Sequence, residues 1–272
     1  MNLFTFIDCH YGSDGDAKLE RMLKEVQDIN ETFGPDSETA LHVAARRHRL
    51  SAIKLLLTHG AEIDAENEHG KTAYVHALRR GFHEIADFLK AHGANTKLNQ
   101  ADQFACAVTC GNFAEAEQLL KEHPGIIRTG NPEEDRLLAD LAGRGDSEPV
   151  KFLIVKGADL EARGLDDGTP LHQAAWFGQP GNVRLLVEAG APLEIFDSVH
   201  TSSPLGWAVH GSRYSDDSEA RRHHYIEIVH MLLESGAKLN YPGESENSTG
   251  YFNRLTEDAP DEIKEILIKA RS

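Results

Sequence analysis

The sequence is poor in positive charge and in long apolar runs. Lysine and arginine number 28 against 44 aspartates and glutamates, which gives a formal net charge of −16. Because nucleic-acid binding draws most of its affinity from cations that neutralise phosphates, this composition argues against a nucleic-acid partner. No stretch reaches the ~20 apolar residues that a membrane-spanning helix needs. We therefore expect neither a nucleic-acid nor a membrane partner.

Cysteine is equally scarce. Cys9, Cys106 and Cys110 form an odd and sparse set, which is typical of a reducing compartment rather than of a disulfide framework. The first residues, 1–9, lack the basic flank of a signal peptide. Together these features predict a cytoplasmic protein.

The common signatures of catalysis are missing. The sequence contains no P-loop, no GxGxxG after a strand, no GxSxG and no HExxH. The histidines and cysteines also lack the paired spacing of a structural zinc site. We expect no cofactor and no metal. These absences favour a binding protein over an enzyme but leave the question of an enzyme open.

A period of 33 residues runs through the chain. Thr39 and Thr72 lie 33 residues apart, and so do Gly60 and Gly93. The clearest copy, residues 168–194, reads GTPLHQAAWFGQPGNVRLLVEAGAPLE. The TPLHxAA core, the ending of the LLLxxGA type and the period together resemble the ankyrin repeat family, and they are specific in combination.

The resemblance implies an all-α fold, an ankyrin-repeat solenoid of stacked helix-turn-helix units with β-turn or hairpin connections. Each repeat buries too little surface to be stable alone, so stacked neighbours build the core. The whole chain, 1–272, is interpreted as one domain. Its predicted parts are a degenerate leading repeat over 1–33, repeats over 34–66, 67–98, 99–130, 131–164, 165–197 and 198–241, the last with an insertion at about 213–225, and a C-terminal cap over 242–272.

The repeat motif itself explains several residues without any chemistry. A threonine before each first helix can cap it, and a glycine after the second helix suits a left-handed helix end. His42 and His172 occupy the histidine position of the TPLH motif. We interpret both histidines as structural hydrogen-bonding groups. The third and fourth repeats lack the motif, and the sequence leaves open whether the array is continuous there.

Function is expected where the repeats differ. In the family, the residues just before the glycine that closes each first helix lie on the concave groove, where partners usually bind. Those positions hold Arg46, Arg47, Arg79, Arg80 and Arg144, followed by Trp176, Phe177 and His210. An arginine stripe in an acidic protein predicts a protein partner with an acidic or phosphorylated segment, or a small anionic ligand. The alternative is that these arginines complement helix dipoles and stay solvated, at ~0.3–1 kcal/mol each.

The aromatic end of the array offers a second hypothesis. Trp176, Phe177, Trp207, His210 and Tyr214 lie close in sequence to the insertion. They could anchor a partner, or form a small-molecule or catalytic pocket roofed by the insertion. In such a pocket His210 would be the acid or base and Tyr214 a hydrogen-bond donor. The alternative is that the tryptophans pack on neighbouring helices. We expect a monomer.

Overall fold

A computed structural model describes residues 2–215, 217–245 and 248–271. Within these ranges the chain consists of helices and turns and has no β-strand, which confirms the predicted all-α solenoid of helix-turn-helix units. The expected hairpin connections are mostly plain turns, and an isolated antiparallel bridge joins Phe33 to Glu38. The chain divides into two units, Met1–Ile126 and Ile127–Ser272, called here the first and second units.

The first unit contains eight α-helices within its described residues. They are α1 (Leu3–Cys9), α2 (Gly15–Leu23), α3 (Ala40–Arg46), α4 (Leu50–Thr58), α5 (Ala73–Arg79), α6 (His83–Ala91), α7 (Gln100–Thr109) and α8 (Phe113–Glu122). The first helices of successive pairs stack on one another, α1 on α3, α3 on α5 and α5 on α7. Each of them also packs against the second helix of its own pair.

The second unit repeats this arrangement. Its helices are α9 (Pro132–Asp135), α10 (Leu137–Ala142), α11 (Ser147–Val155), α12 (Pro170–Trp176), α13 (Pro180–Glu188), α14 (Pro204–Tyr214), α15 (Arg222–Glu234), α16 (Gly250–Asp258) and α17 (Asp261–Arg271). The first helices α10, α12, α14 and α16 form one layer, and α11, α13, α15 and α17 form the other. None of the described helices is long and apolar enough to span a bilayer.

The TPLH motif fixes the start of the first helices through its threonine and histidine. Thr39 caps α3, and the backbone N–H of Thr39 donates to Nδ1 of His42 (3.1 Å). His42 Nε2 then bonds the carbonyl oxygen of Lys71 in the next repeat (2.8 Å). The same contacts recur where His172 Nε2 lies 3.1 Å from the carbonyl oxygen of Ser202. The structural role predicted for both histidines is confirmed.

Burial makes these histidines neutral. It lowers the pKa of His42, and it lowers the pKa of His172 to about 4. A neutral imidazole can accept at Nδ1 while its Nε2–H donates, which is the pattern that joins one repeat to the next. The second helices end as predicted, because Gly60 and Gly93 follow them with φ values of 92° and 96°.

Candidate functional site

Arg46 and Arg47 close α3 and both face a carboxylate of α1. Arg46 Nη1 lies 3.1 Å from Oδ1 of Asp8, and Arg47 Nε donates to the same oxygen (2.6 Å). Arg46 Nε also donates to Oε2 of Glu38 (3.0 Å). Burial alone would raise the pKa of Asp8, but the two guanidinium groups outweigh it and hold that pKa below its ordinary value. Asp8 is therefore ionised and fastens α1 to α3.

Arg79 belongs to a second buried cluster. Oδ1 of Asp102, in α7, accepts both from Lys71 Nζ (2.8 Å) and from Arg79 Nη1 (3.1 Å). Lys71 and Arg79 are each only 1% exposed. One carboxylate thus holds two buried cations and joins α5 to α7.

Arg80 is linked to the first cluster through a histidine. Its Nη1 lies 3.1 Å from Nδ1 of His76. On the other side of the ring, His76 Nε2 lies 3.4 Å from Oε1 of Glu38. Glu38 therefore faces α3 through Arg46 and α5 through His76, so an acid lies at each joint between the first helices from α1 to α7, half-buried in the case of Asp8 and buried for Glu38 and Asp102.

The expectation of an accessible arginine stripe is wrong for three of these residues. Arg46, Arg79 and Arg80 are 8%, 1% and 6% exposed. Carboxylates of neighbouring helices reach the guanidinium groups of Arg46 and Arg79, and the guanidinium of Arg80 contacts His76. Their burial also excludes the alternative that these three arginines stay solvated while they complement helix dipoles. Arg47 is half-buried on Asp8. A role of these residues in binding a partner stays a prediction.

Arg144 and Phe177 of the second unit lie at helix ends and are half-buried. The carbonyl oxygen of Arg144 accepts from Nδ2 of Asn182 (2.6 Å). The ring of Phe177 packs so closely on Gly143 that a Cβ there would lie 2.6 Å from it. The carbonyl oxygen of Phe177 accepts from Arg221 (2.6 Å). These contacts stabilise turns, and a binding role for either residue stays a prediction.

Trp207 is a core residue. It is 5% exposed, and its Nε1 donates to Oδ2 of Asp197 (2.9 Å). Its ring meets those of His172 and Trp176 edge to face, at centroid distances of 5.1 and 6.0 Å. The alternative, that the tryptophans pack on neighbouring helices, therefore fits Trp207. Little of its indole reaches solvent, and contact of the indole with a partner stays a prediction.

Tyr214 provides the exposed part of the aromatic end. Its side chain is 58% exposed at the last residue of α14, and its ring stacks near that of His210 at a centroid distance of 6.3 Å. The guanidinium of Arg213 lies 5.9 Å from the Tyr214 ring. Trp176, at the end of α12, is half-buried, and its backbone lies against Gly211 of α14. We call Trp176, His210, Arg213 and Tyr214 the Tyr214 surface.

His210 is the titratable group of this surface. Its Nδ1 lies 3.6 Å from Oδ2 of Asp258, in α16. Burial lowers the pKa of His210 even though Asp258 acts in the opposite direction. The imidazole is therefore neutral at pH 7 and can donate or accept a hydrogen bond. A role for His210 as acid or base, with Tyr214 as donor, stays a prediction.

The insertion in the last repeat is fastened to the end of α12. Arg221 Nη1 donates to the carbonyl oxygen of Phe177, and Tyr225 OH donates to that of Trp176 (2.7 Å). Ser215 Oγ is hydrogen-bonded to the same tyrosine hydroxyl. A roofed pocket at this end stays a prediction. Three surface cavities, of 260, 290 and 630 Å³, are lined by other residues.

The described residues contain no group of three or more metal-ligating side chains that could hold an ion. Burial raises the pKa of the Cys106 thiol to about 11, so this cysteine is not a thiolate at neutral pH. Sequence reasoning missed Asp8, Glu38 and Asp102 as partners of the arginines. It also missed Arg213 as the exposed cation next to Tyr214, although its position just before the tyrosine was a usable signal.

Known proteins resemble the chain in its repeats. Rabankyrin-5 of Mus musculus is 32% identical over 163 residues, covering 57% of this chain and 14% of that protein. The probable E3 ubiquitin-protein ligase XBOS33 of Oryza sativa subsp. japonica is 30% identical over 208 residues, covering 65% of this chain and 37% of that protein. The chain thus spans well under half the length of these two relatives.

A solved structure, the human ASB11 ankyrin repeat domain, aligns with 99% of this chain and 97% of its own, at 19% identity and a TM-score of 0.38. The family described as ankyrin repeats (3 copies) matches residues 9–100 and 138–242. Ankyrin repeats generally mediate protein–protein interaction. Since the matched residues make up more than half of the sequence, the chain belongs to the ankyrin repeat family.

Proposed function

We propose that this chain is a protein-binding ankyrin array whose second unit holds a protein partner at the Tyr214 surface. One observation supports this most strongly: a 58% exposed tyrosine ends a first helix, its ring lies near that of a neutral histidine, and the same helix packs on a half-buried tryptophan. Aromatic side chains with a polar tip are the usual anchors of protein interfaces, because they bury a large area and still form a hydrogen bond.

The charge of the surface points to an acidic or phosphorylated segment in the partner. Arg213 is exposed and contacts the Tyr214 ring and the carbonyl oxygen of Asp258 (3.3 Å). No ion pair joins Arg213 to another described residue. A guanidinium held in this way keeps donors for an incoming carboxylate or phosphate. Arg213 therefore takes the role that the sequence suggested for the buried arginines of the first unit.

The proposed setting is the cytoplasm. Cys9, Cys106 and Cys110 form no disulfide with one another, and Cys9 and Cys110 are exposed. Exposed reduced thiols suit a reducing compartment.

The proposal is tested with the full chain as bait in extracts of its host. Partners retained by the parent are compared with those retained by Tyr214→Ala and Arg213→Glu, with Val155→Ala as the control because Val155 is a 72% exposed apolar residue of the same unit. We expect Tyr214→Ala to weaken binding of the purified partner by about tenfold or more, the usual effect of truncating an interface anchor. Arg213→Glu should also weaken it, most at low salt.

Unchanged affinity of the Tyr214→Ala variant would exclude this surface as the site. The same variants separate the protein partner from a small anionic ligand. For a small anionic ligand, a thermal-shift screen of the parent against phosphates and carboxylates would show a stabilising compound, and Tyr214→Ala would abolish the shift.

A further inference from the structure

The first unit has a pocket with apolar and polar lining beside α1 and α2, well apart in sequence from the Tyr214 surface. Its volume is 260 Å³. Its apolar lining consists of Leu3, Met22, Val26, Ile29, Phe33 and Ala40. Leu3 and Ala40 are buried core residues, whereas the other four are half-buried and keep part of their surface open. We call this cavity the Met22 pocket.

Three carboxylates surround the Met22 pocket. Glu25, Asp28 and Glu31 line it and are exposed. None of the three forms an ion pair with any described residue, although Asp28 Oδ1 accepts the backbone N–H of Asn30 (2.8 Å). The carboxylates of the first helices behave differently, since Asp8, Glu38 and Asp102 all face buried cations. The rim thus carries three negative charges that the fold does not use.

The size and charge of the pocket limit what can occupy it. At 260 Å³ it lies below the ~300–1,000 Å³ of ordinary small-molecule sites, so one large side chain fits better than a cofactor. A second copy of this chain would bring another −16 of net charge to an acidic rim. A partner segment with an apolar side chain next to a cation complements both the apolar lining and the three carboxylates of the rim.

We propose that the Met22 pocket binds a protein segment that inserts one apolar side chain and places lysine or arginine beside it. The cations meet Glu25, Asp28 and Glu31, and the apolar anchor covers Met22 and Val26. This site selects a basic segment, whereas the Tyr214 surface selects an acidic one. The two sites share no residue, so each can fail without the other.

The test uses the full chain and a fluorescent ten-residue peptide with a central leucine flanked by lysines. Binding is measured by fluorescence anisotropy at 50 mM and 300 mM salt. Two further peptides carry either serine in place of the leucine or glutamates in place of the lysines. We expect the parent peptide to bind at least tenfold more tightly than either of them, because each lacks one half of the complementarity.

Two variants place the binding at the pocket. The rim triple variant combines Glu25→Gln, Asp28→Asn and Glu31→Gln. It should bind the parent peptide about tenfold more weakly, the combined effect of losing three exposed ion pairs. The matched control removes three exposed carboxylates elsewhere in the first unit, through Glu66→Gln, Glu84→Gln and Asp87→Asn, and should change the affinity less than twofold. Val26→Trp fills the cavity and should abolish the preference for leucine over serine.

Circular dichroism checks that the variants fold. The proposal is overturned if the control triple variant weakens binding as much as the rim triple variant, since binding would then follow net charge alone. It is also overturned if leucine and serine peptides bind equally, or if sedimentation shows that the parent chain dimerises and Val26→Trp makes it monomeric, since a second copy would then occupy the pocket.

Discussion

The two units hold their first helices together by different chemistry. In the first unit, Asp8 and Asp102 form ion pairs across successive first helices, and Glu38 pairs with Arg46 and lies 3.4 Å from Nε2 of His76 in α5. In the second unit, the joint between α12 and α14 contains two tryptophan rings that meet edge to face and the bond from His172 to a carbonyl oxygen. The TPLH histidine is common to both units. What differs at these joints is the layer around it, which holds cation–carboxylate pairs in the first unit and aromatic rings with one buried carboxylate, Asp197, between α12 and α14.

This difference explains why arginines near the ends of first helices cannot all be interpreted alike. A guanidinium removed from water must be paired, because an unpaired buried charge costs several kcal/mol. The arginines of the first unit have carboxylates in the adjacent helices and serve the fold. In the second unit, Arg213 contacts a ring and a carbonyl oxygen, and it remains exposed.

The largest expected effect comes from breaking the ionic joint. Asp102→Asn removes the carboxylate that Lys71 and Arg79 share, and the loss of one partner of a buried ion pair costs about 3–5 kcal/mol. Urea unfolding should show this loss, and hydrogen exchange followed by mass spectrometry should locate it in residues 71–109. Asp87→Asn, on the exposed face of α6, is the control and should cost less than about 0.5 kcal/mol. A loss spread evenly over both units would contradict the assignment of this cluster to the first unit.

The second expected effect is a pH dependence of stability at the joint between α12 and α14. The pKa of His172 is about 4 in the folded chain against 6.5 for an ordinary histidine, so the unfolded chain binds more protons between these values. Stability from this group is complete above pH 6.5 and is lost as the pH falls towards 4. We expect a loss of about 2 kcal/mol in the free energy of unfolding between pH 7.5 and pH 5.

The matching variant is His172→Gln, which removes the titrating group. It should be less stable than the parent at pH 7.5, because the bonds to Thr169 and Ser202 are weakened, but its stability should change less with pH. Hydrogen exchange of residues 165–210 separates this effect from that of His42, whose pKa is also lowered by burial. An equal pH slope in parent and variant would show that His172 does not titrate in this way.

Most of the fold follows from local sequence, but the site does not. The threonine cap, the TPLH histidine and the glycine after the second helix act within a few residues, so the motif predicts where helices begin and end. The burial of Arg47 depends on Asp8, which lies 39 residues earlier, and only stacking brings the two together. Trp207 and Tyr214 share one helix, yet the neighbouring side chains bury the first and expose the second. Such outcomes depend on packing between repeats, which a periodic pattern alone does not specify.

The smallest expected effect concerns a single hydroxyl between α14 and α16. Tyr251 of α16 is fully buried, and its OH accepts the backbone N–H of Ser203 (3.0 Å) and pairs with Ser203 Oγ (2.8 Å). Tyr251→Phe should cost about 1–2 kcal/mol, because it leaves the amide at the start of α14 buried without its acceptor. Tyr241→Phe is the matched control, since its half-buried hydroxyl accepts from Arg254 (3.1 Å) and its loss should cost less than about 0.5 kcal/mol. Equal melting temperatures for the two variants would mean that the hydroxyl of Tyr251 does not hold α14 to α16, and that the rings alone carry this joint.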